Sequence, residues 1–156
     1  MKTFTTKECE ALIGIDYKKV NQLVIRRMIE PENPFPGTGK STLLSLKNLL
    51  EINCIHCMKG MGYKPIIMIL EQLQKNFSDI FEKEIPENTK NDLIIYSNFS
   101  DNNEPTVKVA ELQVFNEINF LTTLLETGKV WMSINISAMK RDLVEKIRVH
   151  LKEYKK

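Results

Sequence analysis

Apolar residues recur at helical spacing through the first half of the chain, and polar residues mark where the helices begin. Thr5 is a good N-cap and Glu8 follows three residues later, so the pattern predicts a capping box at the start of a first helix. Gly14 is expected to end this helix, because glycine adopts a left-handed turn at low cost. Asp16 is then expected to cap a second helix over residues 17–28. The predicted apolar face of the second helix consists of Val20, Leu23 and Val24.

Two short helices joined by a tight turn that contains glycine are typical of a helix-turn-helix. The face of the second helix opposite its apolar face carries polar groups that suit phosphates and base edges. These residues are Tyr17, Lys18, Asn21 and Gln22. Paired short helices also occur in ordinary helical cores, so the pattern leaves that alternative open.

A loop rich in proline and glycine, residues 31–39, separates the second helix from two longer ones. Ser41 or Thr42 is expected to cap a third helix over about residues 43–59. A fourth helix is expected over about residues 63–81, because apolar residues recur there at three- and four-residue spacings.

The pattern changes to strands beyond residues 82–92, a polar segment that we interpret as a linker. Residues 93–99 are rich in β-forming side chains, residues 100–105 form a turn cluster, and residues 106–110 are expected to complete a hairpin. The remaining pattern predicts a helix over residues 111–127, a half-buried strand over residues 130–136, and a helix over about residues 138–154 that Ser137 caps.

This order of elements predicts an α+β fold in two parts. Residues 1–81 form a helix-turn-helix domain with bracing helices, and residues 93–156 form a small β-β-α-β-α unit. The simplest role of residues 93–156 is dimerisation, through strands that pair edge to edge and an amphipathic helix that buries its apolar face. Binding of a ligand or of a second protein is the alternative.

Composition excludes several classes of protein. At 156 residues, 42% hydrophobic and 27% charged, the chain can bury a core and is not disordered as a whole. No apolar run approaches the roughly 20 residues that span a bilayer. Residues 1–7 are polar and no apolar stretch follows, so we expect no secretory signal. Three cysteines are an odd number, which favours a reducing cytoplasm and no disulfide framework.

Charge is distributed unevenly although the net charge is only +2. Residues 1–64 carry 10 Lys and Arg against 6 Asp and Glu, a net charge of +4. Residues 65–156 carry 12 against 14, a net charge of −2. The first half is therefore the better candidate for contact with an anionic partner.

Residues 5–73 resemble the DNA-binding domain of MerR-type bacterial transcription regulators. The resemblance runs through residues 6–15 and 17–28, the loop that ends with Gly37-Thr-Gly39, the helix with Leu46 and Leu49, and the helix start at residues 62–67. It implies a winged helix-turn-helix, in which the loop is a β wing braced by the third and fourth helices. It also implies that the second helix enters the major groove and that a dimer reads two half-sites.

The resemblance therefore implies a sequence-specific, double-stranded-DNA-binding transcription regulator that acts as a homodimer in the cytoplasm, at the nucleoid or a plasmid. The residues expected to face the major groove are Lys18, Lys19, Asn21 and Gln22, with Tyr17 at its edge. Those expected to contact phosphates are Arg26, Arg27, Lys40 and Ser41. The identity of any effector ligand is left open.

Two alternatives remain open. The family usually carries an Arg-Arg-Tyr-like strand after the wing glycines, where this chain has Lys40-Ser-Thr-Leu43, so the wing has fewer basic groups. One alternative to a regulator is an architectural DNA-binding protein of plasmid partition or phage excision. The other, which the unusual wing supports, is an adaptor whose winged-helix-like unit binds another protein.

Two motifs invite an enzymatic or metal-binding interpretation. Residues 36–41 are similar to a nucleotide-binding loop, but Pro34 stands where that loop needs glycine, and a helix precedes it rather than a strand. Cys54-Ile-His-Cys57 could be a redox pair or half of a metal site. We predict instead that both sulfurs pack in the core, because they lie on one side of a helix. We therefore expect no enzymatic activity, no cofactor and no metal.

Overall fold

The structure is a computed structural model that describes residues 3–33, 40–59, 63–76, 91–99, 105–113 and 130–153. These residues contain five helices and five strands, and the strands pair antiparallel, so the fold is α+β as predicted. The helices are α1 (Thr6–Ile13), α2 (Tyr17–Ile25), α3 (Leu46–Cys57), α4 (Tyr63–Asn76) and α5 (Ile136–Glu153). The strands are β1 (Phe4–Thr5), β2 (Leu43–Leu44), β3 (Asn91–Phe99), β4 (Pro105–Gln113) and β5 (Val130–Asn135).

The chain divides into two compact units. The first consists of residues 1–56 and 142–156, and the second of residues 57–141. Most of the predicted linker, residues 82–90, lies outside the described residues, and its last two residues begin β3. Within the described residues, no helix combines the length and the hydropathy that crossing a bilayer requires.

The start of α1 is fixed by the predicted capping box. The Glu8 N–H donates to the Thr5 hydroxyl at 3.3 Å, and the Thr5 N–H donates to the Glu8 carboxylate at 2.7 Å. Gly14 ends the helix at φ 69°, in the left-handed region, and its N–H donates to the Glu10 carbonyl at 2.9 Å. Both predicted ends of α1 are thus confirmed, and Cys9 and Leu12 of this helix are buried.

Helix α2 begins as predicted but ends three residues early. Asp16 caps it by accepting a hydrogen bond from the Lys18 N–H at 2.7 Å. The predicted end at Met28 is wrong, because Arg27 takes a left-handed conformation at φ 56° after Ile25, the last helical residue. The Arg27 N–H donates to the Val24 carbonyl and the Met28 N–H to the Leu23 carbonyl, each at 2.9 Å. This pair of bonds is a Schellman motif, which closes a helix.

A small sheet replaces the predicted start of the third helix. Leu43 and Leu44 form β2, which pairs antiparallel with β1, with Phe4 opposite Leu44 and Thr5 opposite Leu43. Phe4 and Leu44 are both buried, so this sheet contributes to the core of the first unit. The prediction that residues 43–45 are helical is wrong, because pairing with the start of the chain holds them extended.

The cap of α3 is Ser45, so the prediction of Ser41 or Thr42 is wrong. The Asn48 N–H donates to the Ser45 hydroxyl at 3.3 Å, and the Ser45 N–H donates to the Asn48 side-chain oxygen at 3.0 Å. This reciprocal pair is equivalent to a capping box with an amide in place of a carboxylate. The helix ends at Cys57, two residues before its predicted end. Its fully buried apolar side chains are Leu49, Leu50, Ile52 and Cys54.

The second unit contains α4 and a three-stranded sheet in the order β4-β3-β5. Helix α4 lies against β4 and buries Ile69, Leu70 and Leu73; residues 77–81 of the predicted helix lie outside the described residues. Strands β3 and β4 pair over nine residues each, from Asn91 opposite Gln113 to Phe99 opposite Pro105. Strand β3 also pairs with β5, with an irregularity between Ser97 and Asn98.

Three predictions in this half of the chain are corrected. Residues 111–113, predicted as the start of a helix, belong to β4, and residues 114–127 lie outside the described residues. Pro105, predicted as part of a turn, begins β4. The last helix begins at Ile136, because the Asn135 side chain accepts a hydrogen bond from the Ala138 N–H at 2.8 Å and caps it in place of Ser137.

Candidate nucleic-acid interface

One face of α2 and its C-cap forms an exposed stripe of residues. Numbered from Lys18 as position 1, the residues of this stripe stand at positions 1, 2, 5, 8 and 9, and these positions share one side of a helix. Val20, on the opposite side, is completely buried. The exposed stripe consists of Lys18, Lys19, Gln22, Ile25 and Arg26. Burial of Val20 therefore determines which face α2 presents to solvent.

The predicted base-contacting residues divide into two groups. Lys18, Lys19 and Gln22 are exposed, as expected for groups that meet a ligand. Tyr17 and Asn21 are half-buried, so they lie at the margin of the exposed stripe rather than in its centre. The face that α2 exposes to solvent is therefore rotated about the helix axis relative to the predicted face.

The exposed stripe continues into the turn that ends α2. Arg26 is the C-cap of the helix and Arg27 follows in the left-handed conformation, and both side chains are exposed. Cations near a helix C-terminus interact favourably with the partial negative charge of the last carbonyls. Four cationic side chains, Lys18, Lys19, Arg26 and Arg27, are therefore exposed within ten consecutive residues.

Hydrogen bonds join the two ends of the loop between α2 and α3. The Glu32 N–H donates to the Leu43 carbonyl at 2.9 Å. The Asn33 side chain donates to the Ser41 carbonyl at 3.0 Å and accepts from the Leu43 N–H at 2.5 Å. We call residues 32–33 and 41–43 the loop base. Residues 34–39 lie outside the described residues.

The two remaining predicted phosphate contacts lie at this loop. Lys40 and Ser41 are both exposed, immediately before and within the loop base. They lie at least five residues before the first residue of α3, Leu46. A nucleotide-binding loop instead places its Lys-Ser pair at the start of a helix, where backbone N–H groups point at the phosphates. This spacing differs from that of a nucleotide-binding loop.

A buried polar cluster holds the chain between α2 and α3 in place. Asn48 is 4% exposed, and its side-chain amide donates to the Glu30 carbonyl at 3.0 Å and to the Glu51 carboxylate at 3.2 Å. The same side chain accepts hydrogen bonds from the Ser45 N–H and hydroxyl. Buried polar groups are stable only when paired. Asn48 therefore fixes the segment that leaves α2 to the start of α3.

The cysteines occupy different environments. Cys9 and Cys54 are buried, but Cys57 is exposed, so the prediction that both members of the Cys54–Cys57 pair pack in the core is wrong for Cys57. Cys57 is the last residue of α3, and residues three apart on a helix are rotated by about 60° from each other. Among the described residues, no three His, Cys, Asp or Glu side chains are grouped so that they could hold a metal ion.

Two of the thiols have raised pKa values. Burial, and secondarily the charge of Glu8, raises the pKa of the Cys9 thiol from 9.0 to about 12. Partial burial also raises the pKa of Cys57. Both groups are therefore protonated near pH 7, whereas nucleophilic or metal-binding cysteines are thiolates.

Ile25, at the end of α2, is 79% exposed although it is not among the predicted site residues. The signal was its spacing: Ile25 lies seven residues after Lys18 and three after Gln22, so it shares their face and not that of Val20.

The chain matches no model of a known protein family and no curated protein.

Proposed function

We propose that this protein binds double-stranded DNA in a sequence-specific manner and regulates transcription as a MerR-like homodimer. The observation that carries the proposal is the exposed stripe of α2, in which Lys18, Lys19, Gln22 and Arg26 share a face opposite the buried Val20. A surface helix whose accessible side is cationic and rich in hydrogen-bond donors suits a polyanion with readable base edges.

The dimensions and chemistry of α2 suit the major groove. An α-helix with its side chains is about 10–12 Å across, and the major groove is about 12 Å wide. Lysine donates to guanine O6 and N7, and the amide of Gln22 can pair with adenine N6 and N7. Asn21, at the margin of the stripe, is a second amide of this kind.

The remaining cations serve as phosphate contacts. Arg26 and Arg27 at the end of α2, and Lys40 and Ser41 at the loop, position the protein on the duplex without reading its sequence. The loop base and the β1–β2 pair support the proposed winged helix-turn-helix within residues 1–81. In this proposal residues 93–156 supply the dimer contact, and the protein acts in the cytoplasm at a nucleoid or plasmid.

An adaptor that binds another protein is the second candidate, and the exposure of Ile25 favours it. The four cations around Ile25 favour DNA, because the centres of protein interfaces are depleted in charged residues.

The salt dependence of binding tests the proposal and separates the two candidates. The full-length protein is titrated into a fluorescent random-sequence duplex at several salt concentrations. Three phosphate-binding cations per subunit, Arg26, Arg27 and Lys40, predict a slope of about −5 in log K against log salt for a dimer. Binding that does not change with salt, or no binding at low salt, contradicts DNA recognition.

A further inference from the structure

Ile25 stands out as an apolar side chain in the middle of a polar surface. Three large hydrophobic residues are exposed among those that the structure describes: Ile25 at 79%, Tyr63 at 51% and Val149 at 47%. Of these, only Ile25 lies in the exposed stripe, between Gln22 and Arg26. Its exposure is therefore a property of the candidate interface itself.

The chemistry of the major groove narrows what Ile25 can contact. Isoleucine has no side-chain donor or acceptor, and the apolar group that base edges present in that groove is the C5-methyl of thymine. Lys18 and Ile25 are two helical turns apart on one face, a rise of about 10 Å. That distance corresponds to about three base-pair steps.

We infer that Ile25 is a specificity residue that contacts the methyl group of a thymine, about three base pairs from the base that Lys18 reads. The inference rests on the proposed DNA binding and names one base that the site selects. A protein partner is the less suitable occupant, because the nearest members of the stripe, Gln22 and Arg26, give Ile25 no apolar surroundings to form the centre of an interface.

Removal of a single methyl group from the DNA tests this contact. A preferred duplex is first selected from a random library with the full-length protein. Each thymine of that duplex is then replaced in turn by deoxyuridine, which lacks only the C5-methyl. We expect one position in each half-site at which the replacement weakens binding about fourfold, which is the change in affinity that the loss of one buried methyl group produces.

The variants Ile25→Ala and Ile25→Val complete the test. Ile25→Ala removes the contact from both half-sites of the dimer, so it should bind the thymine duplex about sixteenfold more weakly and should no longer distinguish thymine from deoxyuridine at that position. Ile25→Val should keep the distinction, because it retains a branched apolar end. Tyr63→Ala removes an exposed large apolar side chain outside the exposed stripe and outside residues 93–156, and should bind like the wild type.

The outcomes separate this inference from the proposed function. A selected duplex in which no thymine is sensitive overturns the thymine contact and leaves DNA binding intact, as does an Ile25→Ala variant that keeps the sensitivity. Ile25→Ala that binds every duplex like the wild type likewise overturns the contact and directs attention to a protein partner. Failure to select any duplex, together with salt-independent binding, removes both proposals.

Discussion

Arg27 adopts a backbone conformation that few residues with a side chain take. Its φ of 56° lies in the left-handed region, where an L-residue other than glycine costs about 1–2 kcal/mol. The Schellman bonds of Arg27 and Met28 require this conformation. A strained backbone conformation persists only where the surrounding contacts hold it in place, and such residues are common at functional sites. Here the helix cap accounts for the backbone conformation, and the exposed guanidinium is the group that the proposed phosphate contact would use.

Two substitutions of Arg27 distinguish the effect of its backbone strain on stability from the effect of its charge on DNA binding. Arg27→Gly and Arg27→Ala both remove the cation, but only glycine adopts a positive φ without strain. We expect the glycine variant to be about 1 kcal/mol more stable than the alanine variant, measured by urea denaturation, after allowance for the greater freedom of glycine in the unfolded chain. Both should lose the same DNA affinity and salt slope. Equal stability of the two variants would show that the left-handed turn is not needed.

Gln22 and Lys40 are predicted to act differently on DNA. Gln22→Ala should cost about 1–3 kcal/mol on the preferred duplex and much less on unrelated ones, because it removes a base contact. Lys40→Ala should weaken binding to all duplexes alike and reduce the salt slope by about one unit per subunit, because it removes a phosphate contact. Anisotropy titrations on both kinds of duplex measure these effects. Lys75→Ala, an exposed lysine of α4, is the matched control and should change neither quantity.

The accessibility of the three cysteines provides a direct check on the packing of α1 and α3. A thiol reagent at pH 8 should modify Cys57 in the folded protein, slowly because its pKa is raised, and should spare the buried Cys9 and Cys54. All three cysteines should react in denaturant. Labelling followed by mass spectrometry distinguishes the sites, and rapid modification of Cys9 in the native state would contradict its burial.

At the scale of elements, predictability depends on how local the determining contacts are. The cap of α1, Gly14 and Asp16 act within four residues of themselves, and the sequence predicted all three. Strand β2 depends on pairing with β1, about forty residues away along the chain. That contact is invisible to periodicity, which is why residues 43–45 were assigned to a helix.

The same distinction applies to the candidate site. The exposure of Lys18, Lys19 and Gln22 follows from burial of Val20, which the apolar pattern of α2 predicted. The end of α2 at Ile25 could not be predicted, because neither glycine nor proline marks it. The loop base could not be predicted either, because hydrogen bonds of the Asn33 side chain hold it together.

Asn48 is predicted to be the most sensitive polar residue of α3. Asn48→Ala leaves the Ser45 N–H, the Glu30 carbonyl and the Glu51 carboxylate each without one buried hydrogen bond, so we expect a loss of about 2–3 kcal/mol in the free energy of unfolding. Asn53→Ala, in the same helix but half-buried, is the control and should cost less than about 1 kcal/mol. Urea denaturation of both variants measures the difference, and equal losses would contradict the role of the cluster.

At the scale of the whole molecule, the uneven distribution of charge agrees with a division of roles. The cations of the exposed stripe and the loop lie in residues 1–64, which carry a net charge of +4. The rest of the chain carries −2 and is the less suitable surface for a polyanion.

A homodimer predicts a symmetric DNA site. The selected duplex should contain two related half-sites whose centres are separated by about one helical turn of DNA, or a multiple of it. Two chains should bind each duplex in sedimentation experiments, and insertion of about five base pairs between the half-sites should abolish the joint binding, because it rotates one half-site to the opposite face of the duplex. One chain bound to an asymmetric site contradicts the dimer.

The short strand β1 has a practical consequence for anyone who trims or tags this protein. Chain ends usually tolerate shortening. Here Phe4 fills the core beside Leu44, and Thr5 both pairs with Leu43 and caps α1. Removing residues 1–5 therefore deletes a core side chain, a sheet partner and a helix cap at once. A purification tag should accordingly be added before these residues and should not replace them.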